Sequence, residues 1–311
     1  MTEREPATGS SYPPFRQYPV EVKRDIVYGM GRIHVSDPAR SVERPLALDL
    51  YEPSGTGSAH RPALLLAFGG AFHRGSKEDD VVPEGDKGRN TAIADYCRAL
   101  ARRGYVACSI DYRLIPEDPD PGDTMVITDP EGIPRSRVDD VRAIMGLPPA
   151  TTRILHNGLE AACDDMAKAF RFIKARANAY GIDPARIAVG GWSAGARTAL
   201  CAAYGERVGA AAVVSLSGFM ATTDLQRHVT GAPGEPPVLL AYADRDLEYV
   251  RGQNPEMARH FAAVGIPRQV VRIPDGTHFY PSDNPVIDDE GGQDTVLGAV
   301  EAFLARTIGH P

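Results

Sequence analysis

Gly190-Gly191-Trp192-Ser193-Ala194-Gly195 follows the apolar run Ile187-Ala188-Val189 and precedes a helix-forming run from Ala196 to Tyr204. A serine therefore sits between glycines in a strand-to-helix turn, and Gly191 to Gly195 fits the G-x-S-x-G pattern of a nucleophile elbow. The chemistry asks for such a turn. The serine must adopt a strained backbone to project its hydroxyl, and small residues two positions to either side let strand and helix close on it. Glycine-serine turns are common, so the pentapeptide alone does not separate a nucleophile from a tight turn.

Working outward, Leu159 to Tyr180 reads as a long amphipathic helix with Ala162, Met166, Phe170, Ile173 and Ala177 on one face. Gly181 ends it, and Asp183-Pro184 turns the chain into the elbow strand. Further upstream, Pro62 to Phe68 is an apolar run of strand length, Asn90 to Gly104 has helical spacing, and Tyr105 to Ile110 is strand-like again. Arg32 to Val35 and Leu46 to Tyr51 alternate, as antiparallel edge strands with one wet face do. After the elbow come strands at Ala210 to Leu216, Pro237 to Ala241 and Gln269 to Ile273, with helices at Pro255 to Val264 and Thr295 to Ile308. Alternation from Pro62 onward predicts an α/β fold: a mostly parallel sheet, helices on both faces, antiparallel strands at the N-terminal edge.

A chain of 311 residues at 43% hydrophobic can bury a large core, and no composition shift marks a boundary. The expectation is a polar arm over 1–24 and one domain over 25–311. Ile115 to Asn157 is irregular, with a short helix around Val138 to Met145, and is too long for an ordinary connection. It leaves a strand's carboxyl end and is expected to form a lid at 115–157, offering Met125, Ile127, Ile133, Ile144, Met145 and Leu147 to a pocket. The net charge of -7, with no basic stripe, argues against nucleic acid as a partner. No apolar stretch suits a signal peptide or a membrane span, which gives cytoplasmic as the expected location. Four scattered cysteines suit reduced, buried thiols, and nothing implies a metal or an organic cofactor.

A serine hydroxyl needs a base, and the base an orienting acid. In an open α/β sheet reactive groups collect at the carboxyl ends of strands. Past the strand at Pro237, Asp246 is preferred as the acid over Asp244, with Glu248 third. Past the last strand, His278 in Pro274-Asp275-Gly276-Thr277-His278-Phe279 is the one histidine placed after both a strand end and the acid. Acyl transfer also needs donors for the oxyanion. The amide of Ala194 follows the nucleophile, and Gly70 and Ala71 lie in the glycine loop Phe68 to Ser76 after the first buried strand. Phe72, His73 and Trp192 are candidate substrate contacts; Trp192 suits either packing on the sheet or edging the pocket.

The order serine, acid, histidine is that of the α/β-hydrolase triad. The chain resembles the carboxylesterase, feruloyl esterase and hormone-sensitive-lipase-like branch of the α/β-hydrolases. The resemblance runs through Leu50-Tyr51-Glu52-Pro53, the loop at Phe68 to Ser76, Asp111 to Glu117, Tyr180 to Ile187 and the elbow, in the family's order. It covers about Asp25 to the C-terminus. It implies the α/β-hydrolase fold and a serine-dependent hydrolase of small-molecule esters, with Ser193 as nucleophile, Asp246 as acid and His278 as base. Three positions depart from the family: Phe68 where histidine is usual, Ala71 where glycine is frequent, and Ala196 after the elbow. Phe68 removes a hydrogen bond that normally braces the oxyanion loop. Amidase, formamidase or lactonase activity would use the same groups, and a non-catalytic binding protein could share the fold.

Overall fold

The structure is a computed structural model and describes residues 17–55, 60–81 and 89–311. The expected arm falls outside the described residues up to residue 16. Its last residues are strand instead: β1 (Val20–Ile33) pairs antiparallel with β2 (Val42–Pro53) from Val20↔Pro53 onward. The paired partner, not the local composition, makes that stretch extended.

β3 (Arg61–Ala67), α1 (Ile93–Arg102) and β4 (Val106–Ile110) follow. Every residue of β3 and β4 is buried. Successive strand side chains point to opposite faces, so both faces of the sheet are covered here, which is why these runs are apolar apart from Arg61 and Ser109. Next come α2 (Ser136–Ile144), α3 (Thr152–Ala175), β5 (Ile182–Trp192), α4 (Ala194–Leu200) and β6 (Val213–Leu216). α3 starts seven residues before the expected Leu159, because Thr151 caps it by accepting the Ile154 amide at 3.3 Å. The C-terminal end of the irregular segment is therefore helix.

The remainder is α5 (Thr222–His228), β7 (Val238–Arg245), α6 (Glu248–Ala263), β8 (Arg268–Thr277), β9 (Pro285–Asp288), β10 (Gln293–Thr295) and α7 (Val296–Thr307). Pro255, read as a helix start, lies inside α6. β9 and β10 form an antiparallel hairpin at the C-terminal edge, interrupting the expected alternation. The ten strands run β1-β2-β4-β3-β5-β6-β7-β8-β9-β10, and β4 through β8 are parallel. β5 lies at the centre, between β3 and β6. Among the described residues, no helix is long and apolar enough to cross a membrane.

The elbow depends on a close approach at its second glycine. A Cβ on Gly195 would lie 2.0 Å from the carbonyl oxygen of Ala67, a backbone atom that cannot swing aside. Gly195→Ala is expected to lower stability by about 3 kcal/mol or more, the upper range for overpacking. Urea denaturation of the variant against the parent checks this; a change under ~1 kcal/mol would contradict the packing account.

Candidate active site

Ser193, one residue past β5, has φ 55° and ψ -114°, outside the regions open to most side chains. Its amide donates to the Leu216 carbonyl at 2.7 Å, tying the turn to β6. His278 and Asp246 come to it from the ends of β8 and β7. The pairing of β7 with β8 slips between Ala243↔Ile273 and Arg245↔Thr277, with Asp275 at φ 53° in the irregularity. Such a bulge re-aims the chain beyond it.

The three side chains form one line. Ser193 Oγ lies 2.8 Å from His278 Nε2, and His278 Nδ1 lies 2.6 Å from Asp246 Oδ1. Asp246 is deeply held: Oδ2 accepts from Ser217 Oγ at 2.6 Å and from the Ala243 amide at 3.1 Å, and Oδ1 from the Leu247 amide at 2.8 Å. Burial pushes its carboxyl up, but the His278 charge and hydrogen bond, with those from Ser217 and Ala243, outweigh burial and hold it below the usual carboxylate value. The two rival acids are elsewhere. Asp244 lies within β7 and pairs with Arg272 at 3.0 Å, and Glu248 is exposed at the start of α6.

Ser217 was not legible as part of this group. It sits at φ 52° past β6 and is itself 2.9 Å from the Tyr280 hydroxyl. Its position at a strand end was the signal available.

The loop after β3 runs through three left-handed residues in succession, Gly70 at φ 101°, Ala71 at 56° and Phe72 at 60°. Consecutive amides in such a turn can face one concavity. Ala71, Phe72 and Ala194 line the pocket beside Ser193. Gly70, the third expected donor, precedes Ala71 in the same turn. The turn also needs glycine there, since a Cβ would meet the Arg74 carbonyl oxygen at 2.0 Å.

Two candidates are corrected. His73 is buried behind the loop, its Nδ1 on the Ala71 carbonyl at 2.7 Å and its Nε2 3.1 Å from Arg142 Nη1, so it braces the loop and does not face the pocket. Desolvation lowers its pKa, in keeping with a neutral ring that donates on one side and accepts on the other. Trp192 is buried too. Its ring lies against Gly69, which has no side chain to hold it off, and 5.2 Å from the His278 ring.

The bracing that a histidine at position 68 would supply comes from two other groups. The Tyr112 hydroxyl donates to the Phe68 carbonyl at 2.8 Å while its ring stacks on Phe68 at 4.3 Å. Asp80 accepts the Gly69 amide at 3.1 Å and the Ile93 amide at 2.8 Å.

The pocket over Ser193 is a small cleft of about 30 Å³, within some 450 Å³ of empty space that includes open solvent at its mouth. The irregular segment contributes Ile133, Pro134, Arg137 and Val138 to its wall. Of the other apolar residues expected there, Met125, Ile144 and Met145 are exposed, Ile127 is buried in the core and Leu147 is outside the wall. For Ile144 and Met145 the reason is the face α2 turns inward: Arg137, Val138, Val141 and Arg142 are its buried residues. The segment is fastened at its base, where Glu160 accepts the Ile127 amide at 2.7 Å and Asp224 the Thr128 amide at 2.6 Å. The stretch after β6, short for a cap, still holds α5 and sends Phe219 into the wall. Arg137 and Arg197 both line the pocket and were missed, because helical arginines are ordinarily assigned to solvent. Among the described residues, no group of three or more metal-ligating side chains is present.

The BD-FAE family model matches residues 154–224, from α3 through Ser193 to α5. No curated protein sequence matches the chain. Among solved structures, the chain is similar to Thermogutta terrifontis esterase 2 phosphorylated by paraoxon, at TM-score 0.58 and 17% identity over 94% of this chain and 95% of that one. The native form of the same esterase matches at TM-score 0.57 and 16% identity, over 96% and 95%. Its propionate-bound form matches at TM-score 0.57 and 16% identity, over 96% and 97%.

Asp80 gives the loop a pH signature. Burial raises its carboxyl from 3.8 to about 6, against the pull of the Ile93 and Gly69 amides. Below pH 3.8 the folded and unfolded chains both hold the proton; between there and about 6 only the folded chain keeps it. Stability contributed by this group therefore falls as the pH rises through that window, by up to about 3 kcal/mol. Asp80→Asn is expected to remove that part of the slope. Denaturant midpoints at pH 4.5 and pH 7 for both proteins measure it, and an identical slope in the two would count against the assignment.

Proposed function

We propose that this chain, an α/β-hydrolase by fold, is a serine-dependent carboxylic ester hydrolase that works through an acyl-enzyme. The observation that carries the reading is the hydrogen-bonded line from Ser193 through His278 to Asp246, opening into the pocket at its serine end. His278 Nδ1-H, donated to Asp246, keeps the tautomer whose Nε2 can take the Ser193 proton as Oγ attacks the carbonyl. Asp246 remains ionised, held so by His278, Ser217 and backbone amides, and so stabilises the imidazolium. That imidazolium returns its proton to the leaving alkoxide, and a water molecule repeats the sequence on the acyl-enzyme. The Ala71 and Ala194 amides serve the developing oxyanion, in the turn that Gly70 permits. Residues 115–157 act as the lid through Ile133, Pro134, Arg137 and Val138.

The phosphorylation of the structurally similar esterase by paraoxon supports organophosphate chemistry as a test. Ser193→Ala is expected to reduce ester turnover by at least about 10⁴-fold and to abolish labelling by a fluorophosphonate. Asp246→Asn is expected to cost on the order of 10⁴-fold, since the wrong tautomer is then favoured. Retained hydrolysis in Ser193→Ala would overturn the nucleophile. Faster cleavage of a matched anilide or lactone than of the ester would overturn the substrate class.

A further inference from the structure

We infer that the pocket selects esters bearing a carboxylate a few bonds from the scissile group, bound by Arg197 and Arg137. The inference builds on the ester-hydrolase reading and names its substrate class. Arg197 lies four residues after Ser193, within α4. It lines the pocket yet is only 3% exposed. Its Nη2 has no hydrogen-bond partner among the described residues. The Asp224 Oδ2 atom lies 3.8 Å from that nitrogen, beyond hydrogen-bonding distance, and the other Asp224 oxygen accepts the Thr128 amide at 2.6 Å. The guanidinium carbon is 4.6 Å from the centre of the Phe219 ring, a contact that steadies the charge but uses none of its N–H donors.

A buried guanidinium with an unmet donor is costly unless a ligand supplies the acceptor. Arg137 enters the same pocket from α2, its guanidinium carbon 5.3 Å from the Phe279 ring centre. Apart from Ser193, Ser217 and Tyr249, the rest of the wall is apolar. A neutral acyl chain needs neither arginine, whereas a planar carboxylate fits the fork of a guanidinium. The unmet donor of Arg197 is therefore suited to a carboxylate oxygen, with the Arg137 side chain in the same wall. Asp246 faces His278 and does not line the pocket.

Matched ester pairs test this, one with the charge on the acyl side and one with it on the alcohol side: monomethyl glutarate against methyl pentanoate, and 3-acetoxybenzoate against phenyl acetate. In at least one pair the charged ester is expected to have the higher kcat/KM by about tenfold or more. Arg197→Gln and Arg137→Gln are each expected to lower that ratio several-fold, chiefly through KM, with partial rescue by lysine. Because Arg197→Gln could fail to fold, inhibition of the parent protein is measured as well. Benzoate is expected to inhibit phenyl acetate turnover at least tenfold more strongly than benzamide. Preference for the neutral ester in both pairs, with fluorophosphonate labelling intact, would overturn the inference alone. A ratio unmoved in folded Arg197→Gln and Arg137→Gln would do the same, leaving the arginines as braces for Phe219 and Phe279. Absence of ester hydrolysis and of labelling together would overturn the ester-hydrolase reading and this inference with it.

Discussion

The backbone of Ser193 is the constraint on which the rest of the site depends. A non-glycine residue at φ 55° and ψ -114° costs roughly 1–3 kcal/mol, and it persists only where the surroundings over-determine it. They do so from both sides. The Ser193 amide is anchored on β6 through Leu216, and the first turn of α4 presses so closely on β3 that a Cβ at Gly195 would overlap Ala67. Ala67 is also the last residue of β3, after which the chain enters the loop carrying Ala71. One backbone contact therefore holds the strained turn and fixes how near that loop lies to Ser193.

That loop is itself strained, with Ala71 and Phe72 both left-handed, and it too is held by neighbours. Tyr112, from just past the end of β4, holds the Phe68 carbonyl, and Asp80 joins the loop to the start of α1. His73 extends the support outward. It holds the Ala71 carbonyl and meets Arg142 of α2, so the segment above the pocket and the loop beside it are mechanically joined. Lys77, almost fully buried, closes the far end of the loop with ion pairs to Asp25 at 2.9 Å and Asp49 at 3.1 Å. Buried charges of this kind are costly to break singly, which suits a part whose geometry must not drift.

How much could be read in advance depended on whether a feature is local. The elbow, the run of β3 and the positions of Asp246 and His278 after strands follow from short-range patterns, because strand ends and glycine turns declare themselves within a few residues. Ser217, Arg137 and Arg197 did not. Nothing within a few residues of Arg197 tells that Phe219 and Asp224 lie beside it, and a helical arginine read alone belongs to solvent. The same limit explains Ile144 and Met145, apolar residues expected in the wall that lie exposed because α2 turns its arginine-bearing face inward. It explains His73 and Trp192 as well, which sit beside the site in sequence and behind it in space.

The sequence by itself determined the order of strands and helices through most of the chain, the glycine-flanked turn at Ser193 and the serine, acid, histidine order, since each rests on hydrophobic period, glycine placement and chain order. Only the tertiary structure decided which aspartate meets His278, which residues wall the pocket and that two arginines are buried in it. Those outcomes come from elements far apart in the chain packing against one another: β7 and β8 slipping in register to aim His278, and α2, α4 and Phe219 meeting in one pocket wall. Burial and hydrogen-bond partnership are properties of that packing, and they are what turn a charged side chain from a solvated one into one that recognises a ligand.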